Sequence, residues 1–271
     1  MQPSSTLTPI SPPLTDTQGL TGEGEVIGCA DSGLDQESCY FDGEGKVVSY
    51  TGFADSVSAS HGTHVAASIL GESSSPSTGT EGNGIAYSAT LSFFDIGKEA
   101  EDALDTPWSL DWDLFPTAYA DGARVHCNSW GSFTGTYSWV GLSNSYTRSA
   151  LEVDRFSREH EDFLILFAAG NDGASGSSTV SSPAIAKNSL AVGALDSTYM
   201  GVASFSSRGP TPDGRIKPDL MAPGSGLVSA ADGEACGTVA MSGQCSNAAT
   251  PARPTKIMHS VGKSARRAAR L

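Results

Sequence analysis

One residue that could take part in proton chemistry is Asp31, which stands directly after a short apolar run at residues 26–30. A run of that length, followed by Ser32 and Gly33, predicts a buried parallel strand that ends in a turn. A carboxylate at this place can hold a histidine in one tautomer and stabilise its protonated form. The alternative is that Asp31 is simply a turn residue.

A histidine pair is the second candidate, in the segment His61-Gly62-Thr63-His64. His61 lies at the start of a predicted helix over residues 61–70, where it can accept a proton from a nucleophile. Gly62 leaves space beside it. A surface pair or a metal-binding pair are the alternatives, but the H-x-x-H spacing lacks the glutamate of a zinc protease motif and no nearby cysteine completes a site.

Asn171 is the third candidate, because it follows a strongly apolar run at residues 163–169 and a glycine, Gly170. A side-chain amide held at the end of a strand can donate a hydrogen bond to a developing oxyanion. An asparagine beside glycine is also common in ordinary turns, and this second interpretation applies to Asn171 taken alone.

The elements that would position these residues alternate along the chain. Strands are predicted over residues 26–30, 89–96, 124–128, 163–168 and 189–192, and helices over residues 61–70 and 147–160. Such alternation predicts an α/β fold with a parallel sheet covered by helices on both faces. Catalytic groups in such folds gather at the carboxyl ends of the strands, so Asp31 and Asn171 are expected at one edge of the sheet.

Composition narrows the classes of partner. The chain has 271 residues, a net charge of −14 and a pI near 4.6. This acidity argues against nucleic acid as a partner, because phosphate binding needs a basic face. No apolar run is long enough to span a membrane. Residues 1–18 have neither the basic nor the apolar region of a signal peptide. The five cysteines form no zinc pattern, and their odd number leaves at least one unpaired.

The order Asp31, His61, Asn171 resembles the subtilisin-like serine proteases. The resemblance covers about residues 20–243 and rests on several segments, namely residues 24–35, 60–66, 128–132, 168–173, 182–194, 204–210 and 217–224. It implies a subtilisin-like three-layer fold with a mainly parallel central sheet. The segment Phe94-Asp95-Ile96-Gly97 and residues 182–194 are most similar to the high-alkaline, oxidation-resistant branch and its eukaryotic relatives.

Roles follow from the resemblance, segment by segment. His61, rather than His64, would be the general base, Asp31 would orient it, and Asn171 would hold the oxyanion. Two segments would bind the substrate. Their residues are Ser129, Trp130 and Gly131, which resemble the edge that pairs with substrate backbone, and Ala169 and Gly170 of the oxyanion segment.

The nucleophile segment departs from the family pattern. The family motif is Gly-Thr-Ser-Met-Ala-Thr-Pro, whereas this chain continues after Gly243 as Gln-Cys-Ser-Asn-Ala-Ala-Thr-Pro. An alignment on the final Ala-Thr-Pro puts Asn247 at the nucleophile position, and asparagine cannot serve as a hydroxyl nucleophile. An alignment on Ser242-Gly243 that treats Gln244 as an extra residue puts Cys245 in the place of the threonine and Ser246 at the nucleophile. Activity of the chain as written is therefore expected to be near background.

The last 21 residues also change in composition. Residues 251–271 hold six of the sixteen Lys and Arg residues and no acid. Of the net charge of −14, residues 1–250 therefore carry about −20 and residues 251–271 carry +6. A disordered basic end is one interpretation, and a change of reading frame or a gene-model error is the other. We therefore expect three regions: an extended leader (1–19), an incomplete catalytic domain (20–250) and an aberrant or disordered tail (251–271).

Two other functions remain open. A pseudoprotease could bind extended peptides along the edge at residues 129–131 by β-augmentation. A structural Ca²⁺ ion is compatible with the acidic composition, but no loop has a convincing calcium-ligand spacing, so no metal residue is named and no cofactor is expected. The expected partner is a peptide or protein substrate, with no nucleic acid and no membrane. The expected state is a monomer. The resemblance implies an extracellular location.

Overall fold

The computed structural model describes residues 19–52, 60–73, 83–98, 101–132, 144–196, 201–233 and 238–241. Most of the expected leader, the whole tail and the segment that carries Ser246 and Asn247 lie outside these residues. The expected division into three regions therefore stays a prediction.

A seven-stranded sheet forms the centre of the described part. Its order is β2-β3-β1-β6-β7-β8-β9, and every neighbouring pair is parallel. The strands are β1 (Val26–Asp31), β2 (Val47–Gly52), β3 (Thr90–Asp95), β6 (Val125–Asn128), β7 (Leu164–Ala168), β8 (Leu190–Asp196) and β9 (Leu220–Ser225). The predicted parallel α/β sheet is confirmed, and β8 is longer than its predicted span.

The two edge strands of the sheet, β2 and β9, were not predicted from the sequence. Neither β2 nor β9 contains a buried residue, and β9 includes Pro223 and Gly224. A strand at the edge of a sheet is covered less and pairs on one side only, so it needs no continuous apolar run and tolerates proline. The sequence signal that identified the five inner strands is therefore missing at the edges.

Helices cover both faces of the sheet. On one face, helix α1 (Ser60–Leu70) packs Ala66 and Leu70 into a cluster with Cys29 and Phe93. The opposite face carries α2 (Phe115–Ala120), a π-helical turn (Leu110–Leu114) that leads into it, and α3 (Arg148–Glu159). Helix α3 lies within one residue of its predicted span at each end, and the three-layer arrangement is confirmed.

Two small antiparallel pairs complete the described fold. The pair β4 (Gly97–Lys98) and β5 (Glu101–Leu104) follows β3, and β10 (Leu227–Ala230) pairs with β11 (Thr238–Met241). The turn after β10 is tied back to the start of the domain, because the backbone N–H of Gly233 donates to the Asp35 carboxylate at 3.0 Å.

Candidate active site

Asp31 is the last residue of β1 and is completely buried. Its Oδ1 atom accepts a hydrogen bond from the backbone N–H of Ser32 at 2.7 Å and lies 2.6 Å from Nδ1 of His61. Its Oδ2 atom is buried without a hydrogen-bond partner among the described residues. The carboxylate is thus fixed by its own turn and faces one imidazole.

His61 is brought to Asp31 by the first turn of α1 and a close backbone approach. A Cβ atom on Gly62 would lie 2.0 Å from the carbonyl oxygen of Gly33, so only glycine allows the helix to start this near the β1 turn. The other histidine of the pair, His64, is buried and lies 3.2 Å from the Leu227 carbonyl oxygen through Nε2. The structure therefore places His61, and not His64, beside the carboxylate.

Asn171 lies on a turn after β7 that a distant segment holds in place. Gly170 has a φ of 113°, a backbone conformation that favours glycine. The Ser207 hydroxyl accepts the backbone N–H of Asp172 at 3.0 Å, and the backbone N–H of Ser207 donates to the Gly170 carbonyl at 3.0 Å. Residues 204–210 carry part of the family resemblance, but nothing in the sequence predicted that they support this turn.

One cavity of about 420 Å³ joins the predicted site residues. His61 and Asn171 both line it, as do four of the five predicted substrate-binding residues, Ser129, Trp130, Ala169 and Gly170. Gly131 is buried next to this wall and is not itself part of the lining, and Asp31 lies behind His61.

The cavity continues over the sheet as a largely apolar surface. Besides the residues named above, its lining includes Val65, Ile69, Leu166, Val192, Ala194, Phe205, Ala222 and Leu227. Helix α1 therefore bounds a space with a mostly apolar lining, to which His61, Ser129 and Asn171 add polar groups.

Trp130 contributes to this wall differently from what its place in the segment suggests. Its side chain is buried, stands edge-on to Phe167 and donates its Nε1–H to the carbonyl oxygen of Ala30 at 3.0 Å. Ala169 is buried as well. The indole thus belongs to the core, whereas Ser129 of the same segment is half-buried and lines the cavity.

Cys127 also lines the cavity and was not predicted as a site residue. Burial raises the pKa of its thiol to about 11, so the thiol is protonated at neutral pH. No sequence signal marked it, because its place in the site depends on β6 lying beside the strand that carries Asp31.

The described residues contain neither a metal cluster nor a membrane-spanning helix. No group of three or more His, Cys, Asp or Glu side chains there is arranged to hold a metal ion. No helix among the same residues is both long and apolar enough to cross a membrane.

Comparison with known proteins gives one family. The model described as "Subtilase family" matches residues 22–258. The serine protease/ABC transporter B family protein tagA of Dictyostelium discoideum is 31% identical over 211 residues, which are 72% of this chain and 12% of that protein. Serine protease AprX of Bacillus subtilis (strain 168) is 30% identical over 78% of this chain and 49% of its own length. The chain thus spans less than half of either relative.

Solved structures support the same fold. The CspB protease of Clostridium perfringens superposes with a TM-score of 0.70 over 85% of this chain and 81% of that one, at 16% identity. The psychrophilic subtilisin-like protease Apa1 of Pseudoalteromonas sp. AS-11 gives a TM-score of 0.57 over 78% of this chain and 44% of that one, at 22% identity. The subtilisin-like three-layer fold expected from the sequence is therefore confirmed.

Proposed function

This chain belongs to the subtilase family, and from that premise we propose that it is part of a serine-type endopeptidase whose catalytic Asp, His and oxyanion-binding Asn are Asp31, His61 and Asn171. The observation that carries the proposal is the 2.6 Å contact between Nδ1 of His61 and Oδ1 of a fully buried Asp31. A buried carboxylate on Nδ1 selects the tautomer in which Nε2 can accept a proton.

Each remaining group has a defined task in peptide hydrolysis. His61 would take the proton of the attacking hydroxyl and then deliver it to the leaving amine, while Asp31 stabilises the imidazolium. The Asn171 amide, together with a backbone N–H, would stabilise the oxyanion. The Ser129 to Gly131 backbone would pair with the extended substrate. Both His61 and Asn171 open onto the same cavity, which supports this division of tasks.

In this proposal the chain has no serine at the nucleophile position of the family motif. Removing the serine of a subtilisin costs on the order of 10⁶ in kcat, and the small remaining rate comes from the oxyanion site and binding. The family match extends past Gly243 to residue 258, and the chain keeps Ala249-Thr250-Pro251, which equals the last three residues of the family motif. An alignment on these three residues puts Asn247 at the nucleophile position, so hydrolysis by this chain would be near background.

A non-catalytic peptide binder is the second candidate, favoured by the same departure after Gly243. In that case the edge at residues 129–131 would bind extended peptides without cleaving them. The two candidates differ in the coding sequence. A transcript that encodes Gly-Thr-Ser-Met-Ala-Thr-Pro across codons 240–255 would exclude the pseudoprotease, and one that encodes Asn247 would exclude catalysis through a serine at that position.

A fluorophosphonate probe tests the protein as it stands, because it labels activated serine hydroxyls. We expect no labelling of this chain, against strong labelling of an active subtilase run in parallel. Labelling that maps to Ser246 and disappears in His61→Ala would show that Ser246 is the nucleophile and would overturn the assignment of position 247.

An extracellular location belongs to the same proposal. Cys39 is disulfide-bonded, and disulfides form and persist mainly in oxidising compartments. Secretion of the full-length product, detected with an antibody against residues 144–196, would support this location. Retention of the fully reduced protein in the cytosol would contradict it.

A further inference from the structure

Two free thiols are register partners on adjacent central strands. Cys29 of β1 is paired with Cys127 of β6 in a parallel ladder, and both residues are free cysteines. Neighbouring strands lie about 4.8 Å apart, which falls inside the range of about 4.4–6.8 Å that two Cα atoms span when their sulfurs are bridged. The two thiols have no role in the proposed hydrolysis.

Both side chains are on the α1 face of the sheet. Cys29 packs in the cluster that contains Ala66 of α1, and Cys127 lines the cavity together with Val65 and Ile69 of the same helix. Register partners of a parallel pair point to the same side, so the two thiols face the same space. A reagent in the cavity can reach Cys127 directly, and Cys29 lies on the next strand, further from the cavity.

Charge decides which chemistry suits this pair. Burial, the neighbouring thiol and Asp31 all raise the pKa of Cys29, and burial raises that of Cys127 to about 11. A product that leaves negative charge on either sulfur is therefore disfavoured. A product in which both sulfurs carry a neutral covalent bond to one bridging atom avoids that penalty.

We propose that Cys29 and Cys127 form a dithiol site for a thiophilic centre that makes two bonds to sulfur, of which trivalent organic arsenic is the representative. With phenylarsine oxide, two S–H bonds and the As=O bond break and two As–S bonds form. The oxygen leaves as water with both thiol protons, and no atom changes oxidation state. The bridge would close at the cavity wall beside His61.

The test uses phenylarsine oxide on the full chain, without reductant, with intact-mass analysis and peptide mapping. We expect one bridged adduct that joins the peptides containing Cys29 and Cys127. It should survive excess glutathione and be removed by 2,3-dimercaptopropanol. Cys29→Ala and Cys127→Ala should each weaken retention by about 100-fold or more, because the second bond forms within the molecule at a high effective concentration.

Several results would overturn the site. One is an adduct that maps to Cys236 or Cys245. Another is retention that is unchanged in either alanine variant, or the absence of any adduct on a protein whose two thiols are shown to be free after unfolding. Cys29→Ser serves as a second variant at the buried position, and cooperative urea unfolding of each variant shows that lost retention does not come from lost folding.

Discussion

Trp130 donates its indole Nε1–H to the backbone carbonyl oxygen of Ala30 at 3.0 Å, and this bond ties the segment after β6 to the strand that ends in Asp31. The proposed substrate edge and the carboxylate are therefore parts of one buried unit. We therefore expect a substitution of Trp130 to affect both the substrate edge and the position of Asp31.

Trp130→Phe tests this coupling. The phenyl ring keeps most of the apolar contact with Phe167, but leaves a buried carbonyl without its donor, which costs about 1–3 kcal/mol of unfolding free energy. Urea unfolding measures the loss. Trp108→Phe is the matched control, because Trp108 is 79% exposed and its replacement should change little. An equal effect of the two changes would contradict the coupling.

Gly62→Ala tests the close approach that brings His61 to Asp31. The new methyl group would meet the Gly33 carbonyl oxygen at 2.0 Å, so the start of α1 must move. The expected loss is about 1–3 kcal/mol of unfolding free energy, as for other overpacked sites. Gly43→Ala should be close to neutral, because the nearest atom to its added Cβ is 3.9 Å away. A Gly62→Ala protein as stable as the parent would show that α1 is not held there.

His126 predicts a specific acid sensitivity. It is fully buried among Phe115 and Phe163, and burial lowers its pKa from 6.5 to about 3, although the neighbouring Asn128 side chain acts in the opposite direction. Below pH 6.5 the unfolded chain binds a proton that the folded chain does not. Stability therefore falls as the pH falls from 6.5 towards 3, by at most about 1.4 kcal/mol per pH unit from this group.

Comparison with His126→Leu isolates this contribution. Urea unfolding of both proteins at pH 7.5, 6, 5 and 4 gives the difference in free energy at each pH, and contributions from carboxylates cancel in that difference. We expect the unfolding free energy of the variant, relative to that of the parent, to increase steadily as the pH falls below 6.5. A difference that stays constant with pH would mean that His126 is protonated in the folded protein.

The Lys217–Asp219 pair predicts an asymmetric effect of its two partners. The Lys217 ammonium is buried, 2.7 Å from Asp219 and 2.8 Å from the Ser189 carbonyl oxygen, whereas Asp219 is 33% exposed and also accepts the Ala191 backbone N–H. Asp219→Asn leaves a buried charge without its counter-charge and should lower the unfolding free energy by about 3–5 kcal/mol. Lys217→Met leaves a partly solvated carboxylate and should lower the unfolding free energy by less. The reverse order in urea unfolding would contradict this.

The sequence predicted the inner strands because residues 26–30 and 163–168 are continuous apolar runs, as burial on both faces requires. It also placed Asp31 and Asn171 at one edge of the sheet, since residues that follow parallel strands gather there, whereas the grouping of His61 with them came from the family resemblance. These features depend on local pattern and on chain order.

Other features depend on contacts between distant segments. The inward turn of the Trp130 indole requires the Ala30 carbonyl as an acceptor, and the support of the Asn171 turn comes from Ser207. The Cys29–Cys127 pairing needs β1 and β6 to be neighbours, although β3 lies between them in the sequence. No periodicity in the sequence records such an order.

We propose that Asp31, His61 and Asn171 are the catalytic groups of a serine endopeptidase, and that the departure from the family motif after Gly243 is what removes activity from this chain. The most direct test joins residues 1–243 of this chain to the corresponding C-terminal segment of AprX and measures peptide hydrolysis and fluorophosphonate labelling. Cooperative unfolding of the chimaera establishes that it is folded.

We predict that this chimaera cleaves peptides and is labelled on the grafted serine. His61→Ala should remove nearly all of the hydrolysis, by a factor on the order of 10⁶ in kcat, while His160→Gln should leave it unchanged. A folded chimaera that neither cleaves nor reacts, or one whose hydrolysis survives His61→Ala, would contradict the claim.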